Sequence, residues 1–510
     1  MELIAIKGKN YKNFIKIGNI VTPKDFELYN IIKTVLSRSE YKPFLQSFNK
    51  TISDSYLFND YFFPVTFWQD VKNQLIKFDP NIYLQNEEIL YDNEINREDF
   101  DLWVLSLKLP NDILLTDDYK FQLDSVFLGL QNKIGRLDIS MSGGKTFISY
   151  LYCKYLNDNI LKEDSNGDKP KILIVVPKIQ LAKQLQNDWK IYDKFNECKL
   201  ICETIFTGSK KILNADVICG TYQSLSSYDE EYFNIFKVLI CDELHTAKAY
   251  SIKNEIYGKL KNCEYFFGMT GTTPKYNTLD YLHIISMFGP LLVKVTSSEL
   301  IAKGLATPIE IKVIKIKYSD ENENKFSINL KEKGIVGIDK YLEEKNFFHT
   351  NEKRINLIAK LLNNYGKVSL ICVATVEYCT ILETYLKNAC PQYKFAIIHG
   401  TIDTDQRDAI IDEMRNSTEN YCCIGTYGTM STGISIKNLE HVYLPDGGKA
   451  EERVRQTLGR IMRLWQGKTK AICFDFYDDI PQSSFKNHAI ERIKIYKEQK
   501  FPFKIIDINI

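Results

Sequence analysis

The chain has 510 residues, 44% hydrophobic and 26% charged, ordinary values for a globular protein of about three domains. Its 66 basic and 65 acidic residues leave a formal charge of +1, so a surface for nucleic acid has to be a local patch. No apolar run reaches the roughly 18 residues of a membrane span, and the N-terminus lacks a signal-peptide pattern. We expect a soluble, cytoplasmic protein whose 12 cysteines are reduced core residues.

The elements predicted in chain order fall into three parts. Residues 1–98 mix short strand-like and helix-like stretches, which predicts a small α+β domain. From about residue 119, short apolar runs alternate with helical patterns, and this alternation predicts parallel sheets that are buried on both faces. The first series of runs covers 171–176, 215–220, 236–243 and 265–271. After a polar stretch at 318–334, interpreted as a linker or exposed insertion, the second series covers 368–374, 394–400, 421–427, 441–444 and 470–475.

A phosphate-binding loop is predicted before the first of these runs. A short strand leads to Ser142-Gly143-Gly144-Lys145-Thr146, and a helical pattern follows. Glycines allow backbone N–H groups to face phosphates, the lysine reaches the β- and γ-phosphates, and the threonine hydroxyl binds Mg²⁺. Two glycines of the known patterns are replaced, one by Ser142 and one by an isoleucine. By itself the loop could equally be a surface turn.

An acidic pair ends the apolar run at 236–243. Asp242 is the candidate Mg²⁺ ligand, and Glu243 is the candidate general base that orients the attacking water. His245 follows closely and is a candidate for coupling the nucleotide site to the second α/β domain. A solvated acidic pair is the alternative, but the carboxyl ends of strands in such sheets are where ligands bind. Together with the loop, the pair predicts an ATP site.

The second α/β half carries a basic helical pattern. Gln456, Arg460 and Arg463 have the spacing of one helix face, and they are candidates for contacting the γ-phosphate if the two α/β domains close on a nucleotide. A solvated helix would show the same pattern. The preceding hydroxyl-rich loop, with Thr432 and Gly433, can contact a phosphodiester backbone without reading bases.

The order of these motifs resembles that of superfamily 2 helicases, in which two RecA-like domains clamp ATP. The segments SGGKT, DELH, TGT, STGISI and QTLGRIMR match the family's motifs I, II, III, V and VI. The resemblance implies that Gln122 reads adenine as part of a Q motif. It further implies nucleic-acid contacts from two segments that match motifs Ia and Ib, namely Pro177 with Gln184, and Gly220, Thr221 and Gln223.

More narrowly, the chain is similar to the phage UvsW-type DNA helicases. The similarity includes the segments STGISIKNLEHV, SELIAKGLATPIEI at 298–311 and HAIERIKIYKEQKF at 488–501. It implies an N-terminal DNA-binding domain at 1–98, an ATP-binding RecA-like domain at 99–315, and a second RecA-like domain with a basic C-terminal helical segment at 316–510. The implied activity is ATP- and Mg²⁺-dependent remodelling of branched or double-stranded DNA, by branch migration, fork regression and R-loop unwinding.

The expected partners are DNA, bound without sequence preference, and proteins of phage replication or recombination, with the helicase acting as a monomer in the host cytoplasm. Two alternatives stay open. An RNA helicase of the same superfamily would carry the same motifs. A nucleic-acid-binding remodelling protein with an impaired ATPase would explain the irregular phosphate loop at Ser142.

Overall fold

A computed structural model divides the chain into two compact units, Met1–Val295 (unit 1) and Thr296–Ile510 (unit 2). The described residues are 1–6, 14–18, 20–42, 50–57, 62–86, 95–110, 113, 116–165, 167–206, 208–209, 211–244, 249–276, 278–430, 436–446, 448 and 451–510. Within those ranges, every helix is too short or too polar to cross a membrane.

Unit 1 begins with small antiparallel sheets. Strand β1 pairs with β2 and β2 with β5, while β3 and β4 pair with each other. Helix α1 begins at a capping box, because the Thr22 hydroxyl accepts from the Asp25 N–H at 3.2 Å and the Asp25 carboxylate accepts from the Thr22 N–H at 2.8 Å. The elements are β1 (Glu2–Ile6), β2 (Phe14–Gly18), α1 (Pro23–Leu36), β3 (Ser37–Lys42), β4 (Lys50–Ser55), β5 (Phe62–Pro64), α2 (Trp68–Phe78) and α3 (Arg97–Ser106).

The remainder of unit 1 is a seven-stranded sheet, in the order β12-β6-β11-β10-β7-β9-β8, in which every pairing is parallel. Its helices are α4 (Lys120–Asn132), α5 (Lys145–Tyr155), α6 (Ile179–Tyr192), α7 (Tyr222–Ser226), α8 (Glu230–Phe233), α9 (Ala249–Glu255) and α10 (Leu279–Phe288). Its strands are β6 (Ile134–Ile139), β7 (Lys171–Val176), β8 (Cys202–Ile205), β9 (Val217–Thr221), β10 (Phe236–Cys241), β11 (Tyr265–Thr270) and β12 (Leu291–Val295). The central strand β11 is buried at all its residues, as expected for a parallel sheet covered on both faces.

The N-terminal segment shares its core with this sheet domain. Phe63, Phe67 and Trp68 are buried in one apolar cluster with Leu282 and Ile285 of α10. These aromatic residues are therefore core residues. Among the lysines of the N-terminal segment, Lys16 is exposed, whereas Lys7, Lys9 and Lys12 lie outside the described residues.

Unit 2 holds a second seven-stranded parallel sheet, in the order β15-β16-β14-β17-β18-β13-β19. Its strands are β13 (Ile309–Lys317), β14 (Val368–Val373), β15 (Lys394–Ile398), β16 (Tyr421–Thr426), β17 (His441–Leu444), β18 (Ala471–Asp478) and β19 (Phe503–Asn509). Its helices are α11 (Ser297–Ala302), α12 (Glu321–Asn324), α13 (Phe326–Glu332), α14 (Gly337–Thr350), α15 (Glu352–Tyr365), α16 (Val376–Ala389), α17 (Thr404–Asn416), α18 (Tyr427–Met430), α19 (Glu451–Ile461) and α20 (Ser484–Glu498). The fold class is thus confirmed as two parallel α/β domains with a small N-terminal α+β part.

Three details differ from the sequence interpretation. The boundary drawn between residues 315 and 316 falls inside β13, which pairs with β18 and β19 of unit 2. The polar stretch 318–334 contains the helices α12 and α13. The basic C-terminal segment continues past α20 into β19, which extends the sheet beside β13.

The 12 cysteines are free thiols, and all except Cys198 are buried. Burial disfavours the thiolate and raises the pKa of these thiols, to about 12 for Cys372 and about 11 for Cys390. These residues behave as small apolar core groups.

Candidate functional site

The loop between β6 and α5 folds tightly at the carboxyl edge of the first sheet. The Gly143 N–H donates to the Ser140 carbonyl at 3.1 Å, and the Phe147 N–H donates to the Gly144 carbonyl at 2.9 Å in the first turn of α5. Ser142 and Gly144 both have left-handed backbones, with φ of 69° and 80°. The loop therefore places the N-terminus of α5, the positive end of its dipole, at the sheet edge where a phosphate would bind.

Gln122 of α4 supports this loop. Its side chain is 6% exposed, and its Nε2 donates to the Gly143 carbonyl at 3.0 Å. A Cβ atom at Gly144 would lie only 2.2 Å from the same nitrogen, so a larger residue would displace the Gln122 amide, and the positive φ favours glycine as well. The residue assigned to adenine recognition thus also holds the phosphate loop.

Lys145 lies between the loop and the acidic pair. Its Nζ donates to the Ile139 carbonyl at 3.1 Å and lies 3.8 Å from Glu243 Oε1. The Glu243 N–H donates to Asp242 Oδ1 at 2.9 Å, and its φ of 52° is left-handed. Because β6, β11, β10 and β7 are consecutive parallel neighbours, the loop after β6 and the acids after β10 reach the same edge.

The segment after β11 completes this edge. The Thr270 hydroxyl accepts from the Thr272 N–H at 3.0 Å, which fixes a tight turn. A Cβ atom at Gly271 would lie 3.4 Å from Lys145 Nζ and 3.2 Å from the Ile139 carbonyl oxygen. The turn therefore lies so close to Lys145 that a side chain added at Gly271 would contact the lysine.

Three hydroxyl groups around this edge fit a phosphate ligand. The Oγ of Ser142 and the Oγ1 atoms of Thr272 and Thr273 are buried and have no hydrogen-bond partner among the described residues. A buried hydroxyl without a partner is unfavourable, and phosphate oxygens are strong acceptors for such donors. With the helix terminus and the lysine, this donor set suits a nucleoside triphosphate.

The candidate metal ligands are the chain neighbours of Lys145 and Glu243, whose side chains lie 3.8 Å apart. The Thr146 carbonyl accepts from Trp189 Nε1 at 3.2 Å and from Ser149 Oγ at 2.8 Å, which fixes this residue in the first turn of α5. Asp242 directly follows β10, where its own N–H donates to the Val175 carbonyl at 3.0 Å. Over the described part of the chain no group of three or more His, Cys, Asp or Glu residues could hold a metal alone. One carboxylate and one hydroxyl nevertheless suit Mg²⁺, which binds with substrate phosphates and water.

The residues matched to motifs Ia and Ib lie at the ends of two neighbouring strands. Pro177 follows β7, and Gly220 and Thr221 end β9, which pairs with β7. The Thr221 hydroxyl is buried and caps α7, accepting a backbone N–H at 3.2 Å. Gln184 is half-buried on α6, and Gln223 is exposed on α7. Of these side chains, Gln223 is thus the most accessible to a nucleic acid.

In unit 2 the three motif VI residues divide into two kinds. Gln456 and Arg460 lie on α19 and are only 4% and 6% exposed. Arg463 lies beyond the end of α19 at Ile461, so the predicted single helical face holds only for the first two residues. His245, Thr432 and Gly433 lie outside the described residues.

Two residues near Arg463 were not identified from the sequence. The Arg463 carbonyl accepts from Thr307 Oγ1 at 2.9 Å and from Lys468 Nζ at 3.0 Å. Burial lowers the pKa of Lys468 to about 7. Thr307 lies in the family-similar segment 298–311, which gave it no role, and Lys468 lies outside every motif.

Two family models match the chain. The model described as the res subunit of type III restriction enzymes matches residues 120–275, and the helicase conserved C-terminal domain matches residues 352–464. The two matched ranges hold the phosphate loop with the acidic pair and the motif VI helix, respectively.

Three relatives illustrate the range of similar proteins. The ATP-dependent DNA helicase UvsW of phage T4 is 30% identical, covering 82% of each chain. The ATP-dependent RNA helicase DBP2 of Candida albicans is 21% identical over 80% of this chain and 71% of its own. The structure of Saccharomyces cerevisiae Dbp5 bound to RNA and ADP BeF3 has a TM-score of 0.50 at 17% identity, covering 82% and 94% of the two chains, which shows a common fold. The chain therefore belongs to the superfamily 2 helicases, in the family of phage T4 UvsW, and is an ATP-dependent, nucleic-acid-binding helicase.

Proposed function

We propose that this helicase acts on DNA and uses ATP with Mg²⁺ to remodel branched or double-stranded substrates, as UvsW-type helicases do in recombination, replication or repair. The observation that carries the choice of DNA is the 30% identity, over 82% of both chains, to a protein named as a DNA helicase. Branch migration, fork regression and R-loop unwinding are the expected forms of this remodelling.

The chemistry follows from the edge of the first sheet. Lys145 exchanges its hydrogen bond to the Ile139 carbonyl for phosphate oxygens of ATP, and Glu243 accepts a proton from the water that attacks the γ-phosphorus as the bond to ADP breaks. Thr146 and Asp242 would hold Mg²⁺, which neutralises charge on the phosphates when bound.

Gln456, Arg460 and Arg463 are proposed to act on the phosphates during hydrolysis, and His245 is proposed to couple hydrolysis to movement on DNA. Gln122 is proposed to read the adenine while it supports the loop, as its bond to the Gly143 carbonyl suggests.

The nucleic-acid contacts are proposed for two sets of residues. Pro177, Gln184, Gly220, Thr221 and Gln223 form the first set, and Thr432 with Gly433 forms the second. All would contact the phosphodiester backbone, so binding should be independent of sequence and should weaken steeply with salt. The N-terminal segment 1–98 is proposed to add DNA affinity, and the helicase is proposed to act as a monomer.

The test is the ATPase rate without nucleic acid and with single-stranded DNA, a forked duplex, a four-way DNA junction or an RNA duplex. Glu243→Gln removes the base and should reduce the rate by at least about 100-fold with every substrate. Glu203→Gln, at an exposed position of β8 in the same unit, is the control and should leave the rate unchanged. Greatest stimulation by branched DNA supports the proposal, and equal stimulation by all DNA forms would refute the choice of branched substrates.

An RNA helicase is the second candidate, and the similarity to DBP2 over 80% of this chain favours it. The same assay distinguishes the two candidates, because ATPase stimulation by the RNA duplex alone would mean that the helicase acts on RNA and not on DNA. An impaired ATPase is the third candidate. Ser142 argues against it, since it adopts the positive φ that glycine takes in such loops, and complete absence of ATP turnover would restore it.

A further inference from the structure

Three described residues between β17 and the motif VI helix α19, namely Pro445, Asp446 and Gly448, form a segment that polar contacts hold in place. The buried Asp446 carboxylate accepts from the Ala374 N–H at 2.6 Å and lies 3.2 Å from His349 Nε2. The Pro445 carbonyl accepts from the Arg354 guanidinium. These contacts fix the start of the segment to β14, α14 and α15.

The end of the segment is held by the C-terminal helix α20. Arg492 of α20 is 2% exposed, and its Nη1 donates to the Gly448 carbonyl at 2.8 Å. Its Nε donates to Asp475 Oδ1 at 2.9 Å, and its Nη2 donates to the Phe476 carbonyl at 2.9 Å. The Tyr496 hydroxyl donates to the other Asp475 oxygen at 2.8 Å. One guanidinium thus joins the end of β18 to the segment that enters α19.

We expect these contacts of Arg492 to position the chain more than they stabilise it. Burial on its own would lower the pKa of Arg492, but the Asp475 carboxylate raises it above the ordinary value, so the group stays charged. A buried ion pair contributes little net stability compared with apolar residues, because desolvation offsets most of the attraction. The planar guanidinium directs its N–H groups in fixed directions, so it sets the place of the Gly448 carbonyl relative to β18.

We propose that Arg492 is a positioning residue for ATP hydrolysis, which fixes the entry of α19 and thereby the place of Gln456 and Arg460. This inference rests on the proposed action of the motif VI residues on the phosphates. It assigns the family-similar C-terminal segment, basic and aromatic in sequence, a role inside unit 2 that is separate from DNA contact.

The experiment compares Arg492→Gln, Arg492→Lys and the control Lys494→Gln in the full chain. Lys494 lies on the same helix, its side chain is 59% exposed, and its Nζ lies 2.7 Å from Oε1 of the helix neighbour Glu491. The readouts are kcat and KM for ATP with a saturating forked DNA duplex, the melting temperature, and the dissociation constants of ADP and of ADP–aluminium fluoride, a transition-state mimic.

We expect Arg492→Gln to lower kcat by about tenfold or more and to weaken ADP–aluminium fluoride binding to a similar extent. KM and the ADP dissociation constant should stay within about threefold, because interactions with the ground state are unchanged. Arg492→Lys keeps the charge beside Asp475 but loses the forked geometry, so its kcat should lie between those of the wild type and Arg492→Gln. Lys494→Gln should match the wild type.

A purely structural role gives a different pattern, in which all affinities fall together with the melting temperature. That pattern, or an unchanged kcat in folded Arg492→Gln, would overturn the proposal. If Arg492→Gln fails to fold, Arg492→Lys decides: a native melting temperature with wild-type kcat refutes the positioning role, and reduced kcat at unchanged KM supports it.

Arg460→Ala separates this inference from the proposed function. If Arg460→Ala leaves kcat unchanged, the proposed role of motif VI fails. If Arg460→Ala lowers kcat but folded Arg492→Gln does not, only the positioning role fails. If both hold, the double variant should lose less than the product of the two single losses in kcat, because Arg492 acts partly through Arg460.

Discussion

Replacing Ser142 by glycine should stabilise the chain, although the residue lies in the phosphate loop. Its φ of 69° is left-handed, which costs a residue with a Cβ about 1–2 kcal/mol. Its Oγ is buried without a hydrogen-bond partner among the described residues, and such a hydroxyl costs about 1 kcal/mol or more. Glycine also makes the unfolded chain more flexible, which removes about 0.5–1 kcal/mol of the gain. The net expectation is a stabilisation of about 1–2 kcal/mol.

The assay is thermal unfolding of the full chain, with Ser142→Ala as the matched variant. Alanine removes the hydroxyl but keeps the left-handed strain, so it should raise the melting temperature less than glycine does. For a unit of this size, about 1–2 kcal/mol corresponds to a rise of a few degrees. Both variants lose the Ser142 hydroxyl that fits a phosphate ligand, so both should raise KM for ATP to a similar extent while the loop backbone is kept. A lower melting temperature for Ser142→Gly, or an equal rise for both variants, would refute the reasoning on backbone strain.

Three further outcomes follow from contacts described above. Gly144→Ala should lower the free energy of unfolding of unit 1 by about 2–3 kcal/mol in urea and weaken ATP binding, because the new Cβ would lie 2.2 Å from the Gln122 side chain and the backbone φ is 80°. An unchanged free energy of unfolding would contradict this. Asp478→Asn should lower the free energy of unfolding by about 3–5 kcal/mol in the same assay, because the buried Arg354 guanidinium, 2.9 Å away, loses its counter-charge. An unchanged free energy of unfolding would show that the ion pair is dispensable. Lys468→Met should be more stable than the wild type at pH 6, by at most about 5 kcal/mol, because burial lowers the pKa of the lysine to about 7. Above pH 7 the unfolded chain binds more protons than the folded one, so wild-type stability should rise and the difference should shrink towards pH 10; a difference independent of pH would contradict the shift.

Much of the fold was predictable because the informative strands are buried on both faces. The apolar run at 171–176 coincides with β7, and the run at 441–444 coincides with β17. The strands that the sequence analysis missed lie largely at the sides of the sheets. The outermost strand β19, FKIIDIN, has only exposed and half-buried residues, and Lys504 and Asp507 interrupt its apolar residues, so it carries no long apolar run.

Site residues that belong to sequence motifs could be predicted, whereas residues that join the site through a single long-range contact could not. The loop at Lys145 and the acid at Glu243 were both assigned from sequence, and their side chains lie 3.8 Å apart. The helical periodicity was extrapolated to Arg463, which lies two residues past the end of α19 at Ile461, and helix ends are the part of a helix that periodicity defines least. Lys468 joins the site through a carbonyl contact, which any side chain with a donor can make, so residue identity gives no signal.

The distribution of exposed and buried thiols determines where a fluorescent label can be attached to this helicase. Cys198 is the exposed cysteine, whereas the other thiols are buried, and burial raises the pKa of thiols such as Cys372 and Cys390, so a maleimide dye should attach at Cys198 in the native chain. The Cys198 carbonyl accepts from Lys154 Nζ at 2.9 Å, which ties the labelled residue to α5, the helix that begins at the phosphate loop. A fluorophore there would report from unit 1 without removal of any native cysteine, and single-molecule fluorescence on immobilised DNA could then follow individual helicases during turnover.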